Sequence, residues 1–248
     1  MRDAARQATG QKPQDANGNA DVVALFGPDQ NSDLGLGALA FGDGVLLAFP
    51  VRSLCGVFAW VTCPLALERL RRVAGMAGIT VPACEPLKDT DIYCSERLRV
   101  DDKKDDVLLE DHALTRKPLD VKLMESLRSL FPESAQFLVN NHFAVVSDDL
   151  FAWFARHATQ VEARIALDPA TKTVSNGALF YQETVPPESV FVSMISAENA
   201  RHAAAKDSPF HTASAALAHL ETLCKSPRQF GGDATIGKGL CALHLEGK

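Results

Sequence analysis

Residues 228–240 read Arg-Gln-Phe-Gly-Gly-Asp-Ala-Thr-Ile-Gly-Lys-Gly-Leu, with four glycines in nine consecutive positions. Glycine tolerates positive φ and lets the backbone approach a ligand closely. Upstream, residues 212–225 carry leucines at helical spacing, and downstream, residues 240–245 form a short apolar stretch typical of a strand. The sequence therefore predicts the order helix, glycine-rich loop, strand at the end of the fold.

This loop has the glycine and lysine spacing of a phosphate-binding P-loop, but its surroundings argue against one. A P-loop follows a strand, opens a helix and carries Ser or Thr after its lysine. Here Gly239 follows Lys238, and a strand follows the loop. We therefore expect no stabilisation by ATP, and two interpretations remain: a structural connector, or a concavity of amides that binds an anion.

Composition bounds the class of protein. The 248 residues suffice for one large domain or two small ones, and a hydrophobic content of 46% is ordinary for a globular protein. No apolar run is long enough to span a membrane, and residues 1–20 do not resemble a signal peptide. Six scattered cysteines predict reduced thiols in a cytoplasmic protein rather than a disulfide framework or a zinc site. The net charge of −6 argues against an open basic nucleic-acid surface, although a narrow basic groove is compatible with it.

The first dense apolar block predicts three strands and a helix. Residues 37–41 and 45–49 are strand-like and are separated by Gly42-Asp43-Gly44, a spacing that predicts a hairpin. Residues 56–62 predict a third strand, and Pro64 stands where a helix begins. Trp60 in this block, like Trp153 in a later apolar helix, is predicted to be core.

The rest of the chain alternates between helical and strand patterns. The predicted elements are a tail or helix remnant at 1–20, a loop at 17–33, a solvated insertion of strands and loops at about 79–118, a helix at 119–130, strands at 137–139 and 143–146, a helix at 149–157, a hairpin at about 161–178 that returns through 172–174, strands at 179–183 and 189–195, and a helix at 197–205. Interleaved helices and hairpins predict an α+β fold with a largely antiparallel sheet, and residues 21–248 are interpreted as a single domain.

Several blocks, in order along the chain, resemble the Cmr-type (type III-B) backbone subunits of CRISPR effector complexes. They are Phe41–Pro64, Val161–Ile165 with Thr171–Val174, Tyr181–Phe191, and the glycine loop, which is similar to that of the wider RAMP superfamily. The resemblance implies an RRM-like (ferredoxin-like) palm and a projecting β-hairpin thumb. It also implies stacking of copies, together with other Cmr subunits, along a CRISPR RNA. In the family, a divalent metal (Mg²⁺) and a loop aspartate cut the paired single-stranded target RNA.

The sequence departs from the family pattern at its start. The family's first apolar strand, its aspartate-bearing loop and its Gly-Ser-Ser-Leu-Lys-Gly-type helix start have no counterpart here. The resemblance therefore implies that roughly the first 50 residues, with the first strand, are missing, a figure set by what those elements need. No catalytic residue or metal ligand is assigned. If the chain cleaves RNA by itself, the carboxylates to consider are Asp43, Asp168 and Glu183.

The resemblance points to RNA contacts in three places. In the glycine loop they are Gly231, Gly232, Thr235, Gly237, Lys238 and Gly239. Arg52 and Ser53 follow a strand, and Arg52 either contacts the guide backbone or pairs with an acidic neighbour. Arg164 and Lys172 lie on the hairpin, either against the duplex or as solvated charges. Glu183 either orients a metal or water near the cut or is an ordinary strand-end carboxylate.

Two functions from different classes follow from these observations. The main hypothesis is an RNA-guided RNA-binding backbone subunit of a CRISPR effector. The alternative is a non-catalytic ferredoxin-like assembly protein that does not contact RNA. Phosphate contacts make affinity fall steeply with salt concentration, so RNA binding at several salt concentrations separates the two hypotheses.

Overall fold

The computed structural model describes residues 1, 19–28, 36–102, 104–166, 170–174, 179–201 and 208–247. Within them the helices are α1 (Ala20–Phe26), α2 (Pro64–Met76), α3 (Val121–Ser129), α4 (Gln136–His142), α5 (Asp148–His157) and α6 (Ala213–Cys224). The strands are β1 (Leu39–Phe41), β2 (Val45–Arg52), β3 (Phe58–Thr62), β4 (Asp91–Cys94), β5 (Asp106–Leu109), β6 (His112–Lys117), β7 (Phe143–Val145), β8 (Gln160–Arg164), β9 (Phe180–Thr184), β10 (Val190–Val192), β11 (Ile195–Ala197), β12 (Arg228–Gln229) and β13 (Leu240–Cys241). No helix in these ranges is long and apolar enough to cross a lipid bilayer.

Internal contacts divide the chain into two compact units. The first combines Met1–Asp43 with Ser193–Gly247, and the second is Gly44–Val192. The second unit holds a seven-stranded sheet in the order β10-β2-β3-β7-β4-β6-β5. All strand pairings in the described part of the chain are antiparallel except β3–β7 and β4–β6, which confirms the predicted α+β class with a largely antiparallel sheet.

Side chains alternate between the two faces of this sheet, because successive residues of a strand point to opposite sides. In β3, Ala59 and Val61 face one buried cluster, while Trp60 faces another. Helix α5 covers the first cluster with Leu150 and Phe154. The second cluster is covered by residues of α2, α3 and α4: Leu67, Leu70, Ala74, Leu123, Leu127 and Val139. The sheet is therefore buried on both faces.

Three of the helices begin within two residues of the predicted positions: α2 at Pro64, α3 at Val121 rather than 119, and α5 at Asp148 rather than 149. Pro64 is the first residue of α2, a position that tolerates proline because its missing N–H has no intrahelical acceptor. The Asp120 carboxylate caps α3 by accepting a hydrogen bond from Leu123 N at 2.8 Å. The Ser147 hydroxyl caps α5 by accepting one from Leu150 N at 3.2 Å.

The first unit contains two small antiparallel sheets and helices α1 and α6. Strand β1 pairs with β11, and β12 pairs with β13. Its core combines α1, β1 and α6 through Leu25, Leu39 and Leu220. At Gly37 a Cβ atom would lie 2.3 Å from Gly27 N, so only glycine allows this close approach of the backbone.

The hairpin predicted from residues 37–41 and 45–49 is wrong. Strand β1 pairs with β11, whereas β2 pairs with β3 and β10. Short apolar strands around a glycine turn resemble a hairpin in sequence, but β11 is about 150 residues away in the chain, and a local pattern does not reveal such a partner.

The predicted thumb hairpin returns through a different strand. Strand β8 pairs along its whole length with β9, from Gln160 opposite Thr184 to Arg164 opposite Phe180, rather than with residues 172–174. The hairpin thus extends beyond the predicted end at 178, because the aromatic and β-branched residues of β9 form the better partner strand.

Other local predictions are also corrected. Residues 137–139 lie in α4 rather than in a strand, and 17–33 includes α1, whose cap is Asn19. The 79–118 segment is not merely solvated, because β4, β5 and β6 join the main sheet and bury Ile92, Val107, Leu109 and Leu114.

Three further differences concern single elements. The stretch 189–195 is divided between β10 and β11, which join different sheets, and residues 198–201 are not helical, while 202–205 lie outside the described residues. The final strand is limited to β13. Trp60 is 4% exposed, as predicted for a core residue, whereas Trp153 is 37% exposed and stacks on His157, so its prediction as a core residue is wrong.

Candidate functional site

The glycine loop connects β12 to β13 in the first unit. The two short strands pair Arg228 with Cys241 and Gln229 with Leu240, so residues 230–239 form the tip of a small hairpin. Gly231, Gly237 and Gly239 have φ of 77°, 79° and 73°. A single turn of 3₁₀-helix at Ala234–Ile236 follows the first two glycines, and no α-helix follows the loop in the described part of the chain. A P-loop geometry is therefore absent from these residues.

Part of the loop's hydrogen-bonding capacity is used internally. The backbone amides of four loop residues donate to loop carbonyls: Phe230, Ile236, Gly237 and Lys238. The side-chain amide of Gln229 donates to Gly231 O at 2.8 Å. Among the described residues, the amides of four loop residues have no acceptor: Gly231, Gly232, Ala234 and Thr235. These four are solvent-exposed, and an exposed group of unbonded amides suits an anion such as a phosphate.

Arg52 ends β2 and makes an ion pair with Glu110. Its Nε lies 2.9 Å and its Nη2 2.6 Å from the carboxylate oxygens of Glu110, and this partner raises the pKa of the guanidinium. The predicted acidic neighbour thus exists, yet 85% of the Arg52 side chain remains exposed. Ser53 forms an isolated antiparallel β-bridge with Leu109. The buried hydroxyl oxygen of Ser53 has no hydrogen-bond partner among the described residues.

The charged residues of the β8–β9 hairpin are bound mainly to one another. Arg164 Nη2 lies 3.0 Å from Glu162 Oε2, and the buried Nε of Arg164 has no partner in the described part. The Thr159 hydroxyl donates to Glu183 at 2.5 Å. Lys172 lies in the connection between the strands with φ of 56°. One sheet face of this hairpin carries the exposed side chains of Val161 and Tyr181 together with Glu183, which lies opposite Val161.

The site residues predicted from sequence fall into separate groups. Gly231, Gly232, Thr235, Gly237, Lys238 and Gly239 share one loop of the first unit, whereas Arg52, Ser53, Arg164, Lys172 and Glu183 belong to the second unit. Sequence reasoning missed Glu110 as the partner of Arg52. It also missed a row of rings beside the β2–β3 turn, formed by Phe58, His142 and Phe137. Phe137 and His142 are five residues apart in α4, a spacing that does not place two side chains on one helix face, so the sequence carried no signal for this row.

The described residues do not fit a metal centre. They contain no group of three or more His, Cys, Asp or Glu side chains that could hold a metal ion. Asp43 is exposed, Glu183 is bound to Thr159, and Asp168 lies outside the described residues. No cleavage step is therefore derived through a metal held by this part of the chain.

Comparisons with known proteins place the chain in a family. A family model described as the RAMP superfamily matches residues 1–242. The CRISPR system Cmr endoribonuclease Cmr4 of Pyrococcus furiosus is 32% identical over 232 residues, which cover 91% of this chain and 75% of that protein. The chain belongs to the RAMP superfamily, in its Cmr4 family. The resemblance of its sequence blocks to Cmr-type backbone subunits is thereby confirmed.

Solved structures show that the chain has the fold of RAMP proteins. The crystal structure of oligomeric Cmr4 from Pyrococcus furiosus superposes with a TM-score of 0.69 and 24% identity, covering 96% of this chain and 79% of that one. The cryo-EM structure of type III-B Cmr-beta bound to cognate target RNA gives a TM-score of 0.66 at 18% identity, covering 96% of this chain and 80% of that one.

Proposed function

We propose that this RAMP chain is a backbone subunit of a type III-B CRISPR effector, which binds CRISPR RNA and positions a single-stranded target RNA for cleavage in antiviral defence. The observation that carries the proposal is the 32% identity to a Cmr endoribonuclease over 91% of the chain. The two solved relatives named above, an oligomer and an RNA-bound complex, support association with copies of itself, with other Cmr subunits and with RNA.

The glycine loop is the part of the chain best suited to the guide backbone. Its exposed amides at Gly231, Gly232, Ala234 and Thr235 present N–H groups, and Lys238 adds a cation to the same loop. Backbone amides and cations together favour phosphate, and they contact it without regard to base sequence. A guide whose sequence changes from one complex to the next requires this kind of contact.

Arg52 is the second candidate for a phosphate contact. Its pair with Glu110 fixes the guanidinium, yet most of the side chain stays accessible. A guanidinium held in this way offers its remaining N–H groups in a fixed direction, which lowers the entropy lost on binding phosphate. Arg164 and Lys172 are proposed to approach the duplex from the hairpin.

The cellular setting and the cleavage step complete the proposal. All six cysteines are free, which supports a reducing compartment such as the cytoplasm. Cleavage of the target is attributed to the assembled complex with Mg²⁺, and no residue of this chain is assigned to that ion.

RNA retention at several salt concentrations tests the proposal. The chain is co-expressed with its partner subunits and a guide, and the affinity for labelled RNA is measured by fluorescence anisotropy. We expect the logarithm of the binding constant to fall linearly with the logarithm of salt concentration. Lys238→Gln should reduce the slope by about one, whereas Lys225→Gln, in the same unit, should leave it unchanged.

Retention of no RNA at low salt would contradict the proposal and favour the assembly protein that does not contact RNA. If Lys238→Gln and Lys225→Gln gave the same salt dependence, the chain would still bind RNA, but Lys238 of the glycine loop would not contact a phosphate.

A further inference from the structure

A continuous row of three rings lies beside the β2–β3 turn of the second unit. Phe58 stacks on His142 with centroids 5.1 Å apart and an interplanar angle of 23°. His142 and Phe137, the last and the second residue of α4, have centroids 5.8 Å apart. The Phe58 carbonyl accepts a hydrogen bond from His142 Nδ1 at 2.9 Å, which fixes the middle ring. The row is therefore held in place from the main sheet.

An arginine is associated with each end of the row. Arg97 lies over the Phe137 ring, 5.8 Å from its centroid. Arg52 is directly opposite Phe58 in the β2–β3 ladder, and residues opposite each other in an antiparallel pair leave the same face of the sheet. Arg97 thus contacts one end of the aromatic row formed by Phe58, His142 and Phe137, and Arg52 leaves the same face of the sheet as the ring at the other end.

The outer ring and its cation are available to a ligand. Phe137 is 57% exposed, and Arg97 has no carboxylate partner in the described part of the chain. The neighbouring carboxylate of Glu96 lies 3.5 Å from Arg99 and 3.7 Å from Arg116 instead. An exposed aromatic ring beside an unneutralised guanidinium attracts a planar base together with its phosphate.

The turn beside the row has an unusual backbone. Gly56 and Val57 both have positive φ, at 78° and 72°, and a β-branched residue rarely adopts that conformation. A Cβ atom on Gly56 would lie 3.1 Å from Leu98 and 3.5 Å from His142, so the turn packs closely against the row. Val57 is nevertheless 82% exposed. Strained backbone of this kind is concentrated at binding sites.

We propose that Phe137, between Arg97 and His142, stacks on an unpaired base of single-stranded RNA, while Arg97 and Arg52 bind the adjoining phosphates. The inference rests on the proposed function, because it adds a base-stacking subsite to a protein that binds RNA. It gives a sequence-independent contact, since every base has a face that stacks on a ring.

Base-bearing and abasic RNA together test the proposal. The full chain is titrated with labelled single-stranded RNA, and with the same RNA lacking its bases, by fluorescence anisotropy. We expect Phe137→Ala to weaken binding of base-bearing RNA about tenfold, in line with alanine substitutions at stacking rings, and Phe137→Trp to retain it. Removing the bases should weaken RNA binding by the wild-type chain by a similar factor. It should not weaken RNA binding by the alanine variant any further. Phe191→Ala removes a ring of similar exposure, 51%, in the same unit and serves as the matched control.

The possible outcomes distinguish failure of this inference from failure of the proposed function on which it rests. If the wild-type chain binds RNA and Phe137→Ala binds it equally well, the stacking site is wrong and the proposed function stands. If the alanine variant loses affinity equally for base-bearing and abasic RNA, the ring does not contact a base, and the inference is again wrong. If the wild-type chain binds no RNA at low salt, the stacking site is wrong, whereas the proposed function fails only if the co-expressed complex also retains no RNA. An effect on self-association alone would assign the row to a protein interface and overturn the proposal.

Discussion

Gly239 has no room for a side chain. A Cβ atom there would lie 1.9 Å from Phe230 O, and its φ of 73° disfavours every other residue. Gly237 has a similar φ of 79° but open space around it. We expect Gly239→Val to disrupt the β12–β13 hairpin and abolish guide retention, and Gly237→Val to weaken it less severely. Retention is measured by co-purification with the guide.

Gly232 separates backbone strain from loss of the proposed phosphate contact within the same loop. It has no atoms within 4 Å of its Cβ position and no positive φ, so Gly232→Val should fold and assemble like the wild type. Guide loss in this assembled variant would support the phosphate contact proposed for Gly232, because backbone strain does not explain it. Unchanged retention in all three variants would show that the loop is only a connector.

At the scale of elements, local signals in the sequence placed a helix start to within two residues where a cap or a proline sets the boundary. The starts of α2, α3 and α5 depend on Pro64, Asp120 and Ser147, each of which acts within three residues of itself. The pairing of β1 with β11 depends on residues far apart in the chain, and neither strand carries a mark of its partner. The same limit concealed the ring row, since Phe58 and Phe137 belong to distant elements.

A partly buried hydrogen bond anchors the link from the hairpin strand β9 to β10. Trp60 Nε1 donates to Glu188 O at 2.7 Å, and Glu188 has a φ of 69°. Trp60→Phe keeps the ring in the core but leaves the carbonyl without this donor. We expect it to lower the free energy of unfolding by about 1–3 kcal/mol, measured by urea denaturation followed by circular dichroism.

Trp153→Phe is the control for that loss. The Trp153 ring is partly exposed, and its indole N–H has no acceptor among the residues that the structure describes. Trp153→Phe should therefore lower the free energy of unfolding by less than about 1 kcal/mol. Equal losses for the two variants would mean that the bond to Glu188 contributes nothing measurable.

At the scale of the whole molecule, buried thiols report on each compact unit. Burial raises the pKa of Cys63 and of Cys94 to about 12 in the second unit, and it also raises the pKa of Cys224 in the first. At pH 8 these thiols are almost wholly protonated while folded, whereas an unfolded thiol ionises near pH 8.5. Alkylation at pH 8 should therefore follow unfolding, and mass spectrometry gives its extent at each cysteine.

The order of alkylation tests whether the chain behaves as a single domain. The second unit has the larger set of buried residues, so we expect Cys224 to react at a lower urea concentration than Cys63 and Cys94. One shared midpoint would instead support the single domain interpreted for residues 21–248. Rapid alkylation of Cys94 without urea would contradict its burial.

The curvature of the main sheet has a consequence for aggregation. The last strand, β5, bends back until Leu109 bridges Ser53, and Glu110 N donates to Arg52 O. That edge also carries Asp105 and Asp106, while the opposite edge is the three-residue β10, whose register shifts at Val190/Phe191. Short, irregular or charged edges are poor templates for another molecule's backbone. At both edges of this sheet, amyloid-like addition of strands is therefore suppressed, and self-association there must proceed through side chains.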